Sequence, residues 1–177
     1  MINSSKALEG FLQQSRFKIA IPFLKGDVLD FGGNDGELKK YVPGSYTLVN
    51  YDHTPMQNKT FDTIVALAVI EHIPVKDVFE VFNSFKSKLR PDGTLLLTTP
   101  TPRAKPLVEL LAFLHLLDKH NIREHKHYWT KEDICNLAEQ NGFVVKAYKK
   151  FQWGFNQMAI LEQKVSGELK NPPLPPA

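Results

Sequence analysis

Short apolar runs alternate along the chain with longer stretches in which apolar residues recur every three or four positions, the pattern of strands alternating with helices. Asn3, Ser4 and Ser5 can cap a first helix, with Leu8, Phe11, Leu12 and Ile19 near helical spacing, that ends around Pro22. Asp27-Val28-Leu29-Asp30-Phe31 reads as a short buried strand. It is closed by Gly32-Gly33-Asn34-Asp35-Gly36 and followed by a helix-favouring stretch, Glu37 to Tyr41, which Pro43-Gly44 breaks. Tyr46 to Tyr51 is the next strand. Asp62 to Val69 is a central one, rich in Ile and Val without alternation and so buried on both faces. Pro74 sits where a helix begins, with Val78, Phe79, Phe82, Phe85 and Leu89 as its apolar face. Arg90-Pro91-Asp92-Gly93 reads as a turn that stops this helix and launches the strand Thr94 to Thr99.

The last third differs. Leu107 to Leu117 is strongly apolar and helical in pattern, and Thr130 with Asp133 resembles a capping box opening a helix that Asn141-Gly142 closes. Phe143 to Phe151 and Phe155 to Gln163 then read as two strands joined around Gly154, an antiparallel pair at a sheet edge. This order predicts a parallel sheet with crossover helices, because each strand-helix-strand step returns the chain in the same direction.

Composition narrows the class. A chain of 177 residues, 42% hydrophobic and 23% charged, has room for one sizeable core. The expected organisation is one domain over residues 1–165 and a Pro-rich tail, 166–177. A single cysteine, Cys135, excludes a disulfide scaffold and a Cys-rich zinc site. The longest apolar stretch, Ile64 to Ile70, is too short for a membrane span, which needs roughly 20 residues, and the start lacks the apolar core of a signal peptide, so the expected location is cytoplasmic. A net charge of +3 without a long basic run gives no electrostatic footprint of a nucleic-acid binder.

The strongest chemical constellation is Val28-Leu29-Asp30-Phe31-Gly32-Gly33-Asn34-Asp35-Gly36. Glycines at the carboxyl end of the first strand let the backbone approach a ligand and leave amide N–H groups free, where open α/β sheets bind cofactors; a tight turn with no ligand is the alternative. The dinucleotide fingerprint G-x-G-x-x-G does not fit, since its second and third glycines would fall on Asn34 and Glu37. Asp52, at the end of the next strand, is placed to accept hydrogen bonds from both hydroxyls of a ribose. His115, His120, His125 and His127 invite a metal reading, but no acid-His spacing supports it and no metal is expected. Tyr128 and Trp129 are expected to pack rather than to stack on a substrate.

At these residues the sequence resembles the class I S-adenosylmethionine-dependent methyltransferases of the small-molecule type. VLDFGGNDG looks like their glycine loop, YTLVNYD their second strand with its ribose acid, and FDTIVALAVIEHIP their fourth strand and the Glu-His pair after it. LRPDGTLLLTTP is similar to their turn and fifth strand, and HKHYWTKEDICNLAEQNGFVV, more weakly, to their late segment. Together these cover most of residues 27 to 150. The resemblance implies an α/β fold with a doubly wound, Rossmann-like, mostly parallel sheet. The link from Asp52 to Phe61 is too short for the third strand and its helix, so these are expected to be missing, with the adenine-contacting residue that follows that strand.

The resemblance implies S-adenosylmethionine as cofactor and S-adenosylhomocysteine as product. It places Gly32 and Gly33, with Asn34 and Gly36 of the same loop, at the methionine portion, and has Asp30 hold the loop and the cofactor amino group. Asp52 would bind the ribose, His53 and Met56 flank the adenine, and Ala66, Leu67 and Ala68 line the cofactor. Asn34 replaces the middle glycine of the usual Gly-x-Gly, a replacement that Asn's access to left-handed backbone makes tolerable. Glu71 and His72 would lie near the acceptor, His72 as a base where the acceptor must lose a proton, with fixing of the following helix as the alternative role for the pair. His125 is the further acceptor-side candidate, and the Leu107 to Leu117 helix, with Phe113 and Leu117, a wall of that pocket or simply core. The expected protein is a monomeric or homodimeric methyltransferase acting on a small molecule; a non-catalytic or regulatory protein that keeps the fold and binds the cofactor is the alternative.

Overall fold

A computed structural model of the chain describes residues 4–50, 59–106 and 127–164, with residues 4–6 as backbone alone. Helix α1, Ser4–Ala20, gives way to a 3-10 turn at Ile21–Phe23, because Pro22 has no N–H to continue the helical ladder. Strand β1 is Val28–Phe31, followed by the glycine loop and a single 3-10 stretch, Glu37–Tyr41, and β2 is Tyr46–Val49. Strand β3, Phe61–Leu67, helix α2, Val75–Lys88, and strand β4, Leu89–Pro100, complete the parallel part. Helix α3, Lys131–Gln140, and the hairpin of β5, Phe143–Phe151, and β6, Asn156–Gln163, follow.

The six strands order as β2-β1-β3-β4-β6-β5. β1 pairs in parallel with β2 and β3, and β3 with β4, while β6 runs antiparallel to both β4 and β5. Among the described residues β2 is an edge strand, as expected of a sheet without the third strand. From β1 the chain steps outward to β2 and then returns to β3 on the other side, so the order reverses between β1 and β3. The crevice outside the carboxyl ends of strands at such a reversal is where doubly wound sheets bind ligands.

Both faces of the sheet are covered. Leu29 and Phe31 of β1, Ile64 and Ala66 of β3, and Leu95 and Leu97 of β4 pack with Val78, Phe82 and Phe85 of α2 and with Ile134, Leu137 and Ala138 of α3. Val28, Val65 and Leu96, one residue out of phase, pack with Phe17 and Ala20 of α1 on the opposite face. Phe31 meets Phe85 edge-on at 5.0 Å, and Phe82 meets Phe143 edge-on at 6.2 Å, so aromatic contacts run from β1 through α2 to β5.

Three expectations need correction. Phe79 of α2 and Phe11 of α1 are exposed, although both fit the helical period; each helix buries a stripe narrower than its apolar residues could fill. Leu89 is buried as expected but belongs to β4, not to α2. Arg90-Pro91-Asp92-Gly93 does not precede the strand but bulges within it, since Leu89 already pairs with Phe61 before Thr94 pairs with Thr63. The bulge is held from below: Arg90 bonds the carboxylates of Asp62 and Asp27, and Asp27 also accepts from the Ser45 hydroxyl at 2.6 Å. The expected helix Leu107 to Leu117 and the Pro-rich tail lie outside the described residues.

Candidate functional site

The glycine loop stands at the carboxyl end of β1. Gly32 has φ 78, and a Cβ there would lie 2.6 Å from a Val69 methyl. At Gly33 a Cβ would lie 2.2 Å from the Asp30 carboxylate. The loop backbone is therefore tightly packed below, with Gly32 and Gly33 half-buried. Asn34 takes φ 50, the left-handed conformation that makes it serviceable in place of glycine. Its N–H donates to Asn50 Oδ1 at 3.0 Å, and the Asn50 amide donates back to its carbonyl at 3.3 Å. Gly36, at φ 70, caps the 3-10 stretch.

Asp30 is buried beneath this loop, where its carboxylate accepts the Tyr46 hydroxyl at 2.7 Å. Burial pushes its carboxyl up to about 6, against the opposing effect of the Tyr46 hydrogen bond. Burial and then the neighbouring Asp30 carboxylate also raise the Tyr46 phenol, which stays protonated and donating.

Across the crevice, Ala68 follows the end of β3 with φ 58, an uncommon conformation for a residue with a Cβ. Its N–H is shared between the carbonyl and the hydroxyl of Thr98, at 2.9 and 3.1 Å. The turn that follows brings in Glu71 and His72. Glu71 is 1% exposed, and its Oε2 has no hydrogen-bond partner among the described residues. Burial pushes its carboxyl up to about 7, opposed by its own backbone N–H and then by the charge of Arg16. Arg16, on α1, has a buried Nε, likewise without a partner among the described residues, and burial lowers its pKa while Glu71 supports its charge. His72 is half-buried, with its N–H on the Val69 carbonyl at 2.9 Å.

The late His-aromatic segment docks on this turn. The His127 N–H donates to the Glu71 carbonyl at 3.4 Å, and the Trp129 indole N–H to the Ile70 carbonyl at 3.3 Å. Trp129 is buried, as its expected packing role requires. Gln157 of β6 donates to the Trp129 carbonyl at 2.6 Å and accepts the Tyr148 hydroxyl at 2.7 Å, fixing the segment to the hairpin.

Of the residues expected at the site, Asp30, Gly32, Gly33, Asn34 and Gly36 gather at one loop. Ala66 and Leu67 end the neighbouring strand, and Ala68, Glu71 and His72 follow it. Asp52, His53, Met56 and His125 lie outside the described residues. Sequence reasoning missed Arg16, Tyr46 and Asn50. Arg16 had a signal, as a cation in the helical stripe Leu12, Arg16, Ala20; Tyr46 and Asn50 act through contacts that no local pattern encodes.

Comparison with known proteins follows this geometry. A family model described as a methyltransferase domain matches residues 6–148. No curated protein matches significantly. The fold is similar to that of the PH0226 protein from Pyrococcus horikoshii OT3, with TM-score 0.58, 18% identity, and coverage of 86% of this chain and 91% of that one. It is similar to the glycopeptide N-methyltransferase MtfA complexed with (S)-adenosyl-L-methionine, with TM-score 0.63, 15% identity, and coverage of 86% and 87%. It is also similar to the mitomycin 7-O-methyltransferase MmcR, with TM-score 0.64 and 16% identity over 89% of this chain, but the chain spans only 57% of that protein's length.

Proposed function

Because the chain belongs to this methyltransferase-domain family, we propose that it transfers a methyl group from S-adenosylmethionine to a small-molecule acceptor. The observation that carries the reading is the bare Gly32-Gly33-Asn34 backbone over a buried Asp30, facing the Glu71–His72 turn across the reversal point of the sheet. The residues present fit the cofactor. The N–H groups of Gly32, Asn34 and Gly36 are bonded within the protein, so the loop offers a backbone without side chains rather than a row of free donors, and the Arg16 Nε and Glu71 Oε2, without partners among the described residues, are the kind of buried polar atoms a polar ligand satisfies.

In this reading Gly32, Gly33, Asn34 and Gly36 form the cradle, and Asp30 holds it and meets the cofactor's amino group. Arg16 meets its carboxylate. Asp52, His53 and Met56 follow Asn50 in the chain and serve the ribose and adenine, while Ala66, Leu67 and Ala68 line the wall. When bound, the cofactor supplies a methyl group already activated on sulfonium sulfur. What remains for the protein is to align the acceptor and exclude water. His72, half-buried beyond β3, takes the acceptor's proton where one must leave, and Glu71 anchors the turn that presents it. His125, two residues before the docked His127, is the second acceptor-side group.

The test is calorimetric titration with S-adenosylhomocysteine, followed by methyl transfer from S-adenosylmethionine to a panel of small hydroxyl and amine acceptors. Saturable binding with turnover is expected. Absence of binding at millimolar ligand to folded protein would sink the reading. Binding without turnover on any acceptor would support the non-catalytic alternative, which draws on Asn34 in place of the middle glycine and on β2 as an edge strand among the described residues.

A further inference from the structure

The most exposed large apolar side chain among the described residues belongs to Trp153, 88% exposed at the tip of the β5–β6 hairpin. The tip is built to hold it outward. Gln152, Trp153 and Gly154 take φ 49, 54 and 85, three successive left-handed residues, a conformation that side chains with a Cβ adopt only when the surroundings impose it. Here the surroundings are explicit: Thr101 donates its N–H to the Phe155 carbonyl and its hydroxyl to the Gly154 carbonyl, both at 2.8 Å, and Asn156 donates to Gln152 Oε1. Because Asn156 pairs with Pro100, this tip stands at the carboxyl end of β4, the same end of the sheet as the glycine loop.

Exposed cations flank it on the two segments that meet at this end of the sheet. Lys149 and Lys150 lie near the end of β5, and Arg103 and Lys105 follow Thr101; all four are exposed, and none has an acidic partner among the described residues. An exposed tryptophan flanked by exposed cations that have no acidic partner among the described residues is complementary to one kind of surface in particular, an anionic lipid bilayer, whose interface takes the indole while its phosphates take the charges.

We propose that this hairpin tip docks the protein on anionic membranes, with Trp153 entering the headgroup layer and Lys149, Lys150, Arg103 and Lys105 on lipid phosphates. The sheet end that bears the candidate site then faces the bilayer. Joined to the methyl-transfer reading, on which this last step rests, the docking assigns the acceptor to membrane-borne lipids.

The full chain is mixed with phosphatidylcholine vesicles with and without phosphatidylglycerol, and bound protein is measured by co-sedimentation and tryptophan emission. The chain has two tryptophans, and Trp129 is 5% exposed, so a blue shift reports on Trp153. Expected are binding and a blue shift with the anionic vesicles alone, weakened by salt. Loss of the shift is expected in Trp153→Ala, and a drop of roughly fivefold in partitioning for each removed lysine charge in Lys149→Gln and Lys150→Gln. Equal binding to both vesicle types, no binding at low salt, or binding unchanged in these variants would overturn the proposal. So would binding to soluble polyglutamate as tight as to vesicles with no emission shift, which would indicate an acidic protein partner. Titration with S-adenosylhomocysteine in the absence of vesicles reads the cofactor site separately, so failure of docking and failure of the methyltransferase reading are distinguishable.

Discussion

Replacing Asp30 by Asn should make the protein more stable at pH 8 and impair the proposed cofactor site at the same time. In the folded protein the Asp30 carboxyl sits at about 6 against an ordinary 3.8, chiefly because it is buried. The folded state therefore holds this proton more tightly than the unfolded chain does. Its contribution to stability is fully present below about pH 4, is lost as the pH rises toward 6, and stays lost above. At about 1.4 kcal/mol per pH unit, the charge left at pH 8 costs ~3 kcal/mol. Asn has the same shape, can still accept the Tyr46 hydroxyl and carries no charge to bury. Urea unfolding of wild type and Asp30→Asn at pH 8 and pH 4 is the assay. The variant should gain up to ~3 kcal/mol at pH 8, equivalent to a melting temperature roughly 6–12 °C higher for a chain of this size, and little at pH 4. Taking the difference between the two proteins removes the parallel contribution of Glu71, which titrates in the same direction. A variant less stable than wild type at pH 8, or a gap independent of pH, would refute the argument. Calorimetry with S-adenosylhomocysteine should show weaker binding to the stabilised variant, because the charge that destabilises the fold is the one assigned to the cofactor's amino group.

Gly33→Ala should destabilise by about 1–3 kcal/mol, since its Cβ would fall 2.2 Å from a carboxylate that Tyr46 holds in place; thermal melting reads this, and S-adenosylhomocysteine binding should be lost in protein that still folds. Asn50→Ala removes both hydrogen bonds to Asn34 and should cost about 1 kcal/mol or less in urea unfolding, since the pair is exposed, while weakening cofactor binding more than overall stability. Glu71→Gln should flatten the stability-pH curve: the wild-type carboxyl, at about 7 rather than 4.5, gains stability as pH falls through that window, and the variant should lose ~3 kcal/mol of that gain between pH 8 and pH 4.

What could be read from the sequence was local. Thr130 and Asp133 form their capping box because both partners sit within one helical turn, and the hydrogen bonds are present in both directions at 3.1 and 2.8 Å. The Ile-Val run of β3 declared a strand buried on both faces, and the glycines after β1 declared a bare loop. The Arg90 segment failed as a turn because its geometry is decided by Asp27 and Asp62, 63 and 28 residues away. Tyr46 and Asn50 were invisible for the same reason, since a tyrosine alternating on an edge strand and an asparagine at its end have no local sign of the buried acid and the loop they serve. Phe79 and Phe11 show the opposite error: period alone marks which residues share a helix face, not how far the neighbouring layer reaches.

The antiparallel hairpin has a consequence for how the molecule is made. β6 lies between β4 and β5, and its Gln157 clamps the Trp129 segment that docks on the Glu71 turn. During synthesis the glycine loop and β1 to β4 leave the ribosome well before β6 does. A nascent chain can therefore form the half of the crevice assigned to the cofactor while its acceptor wall waits for the last strand, with the open edge of β4 exposed in the interval. Assembly of the two halves of the site is thus ordered in time by the order of the strands.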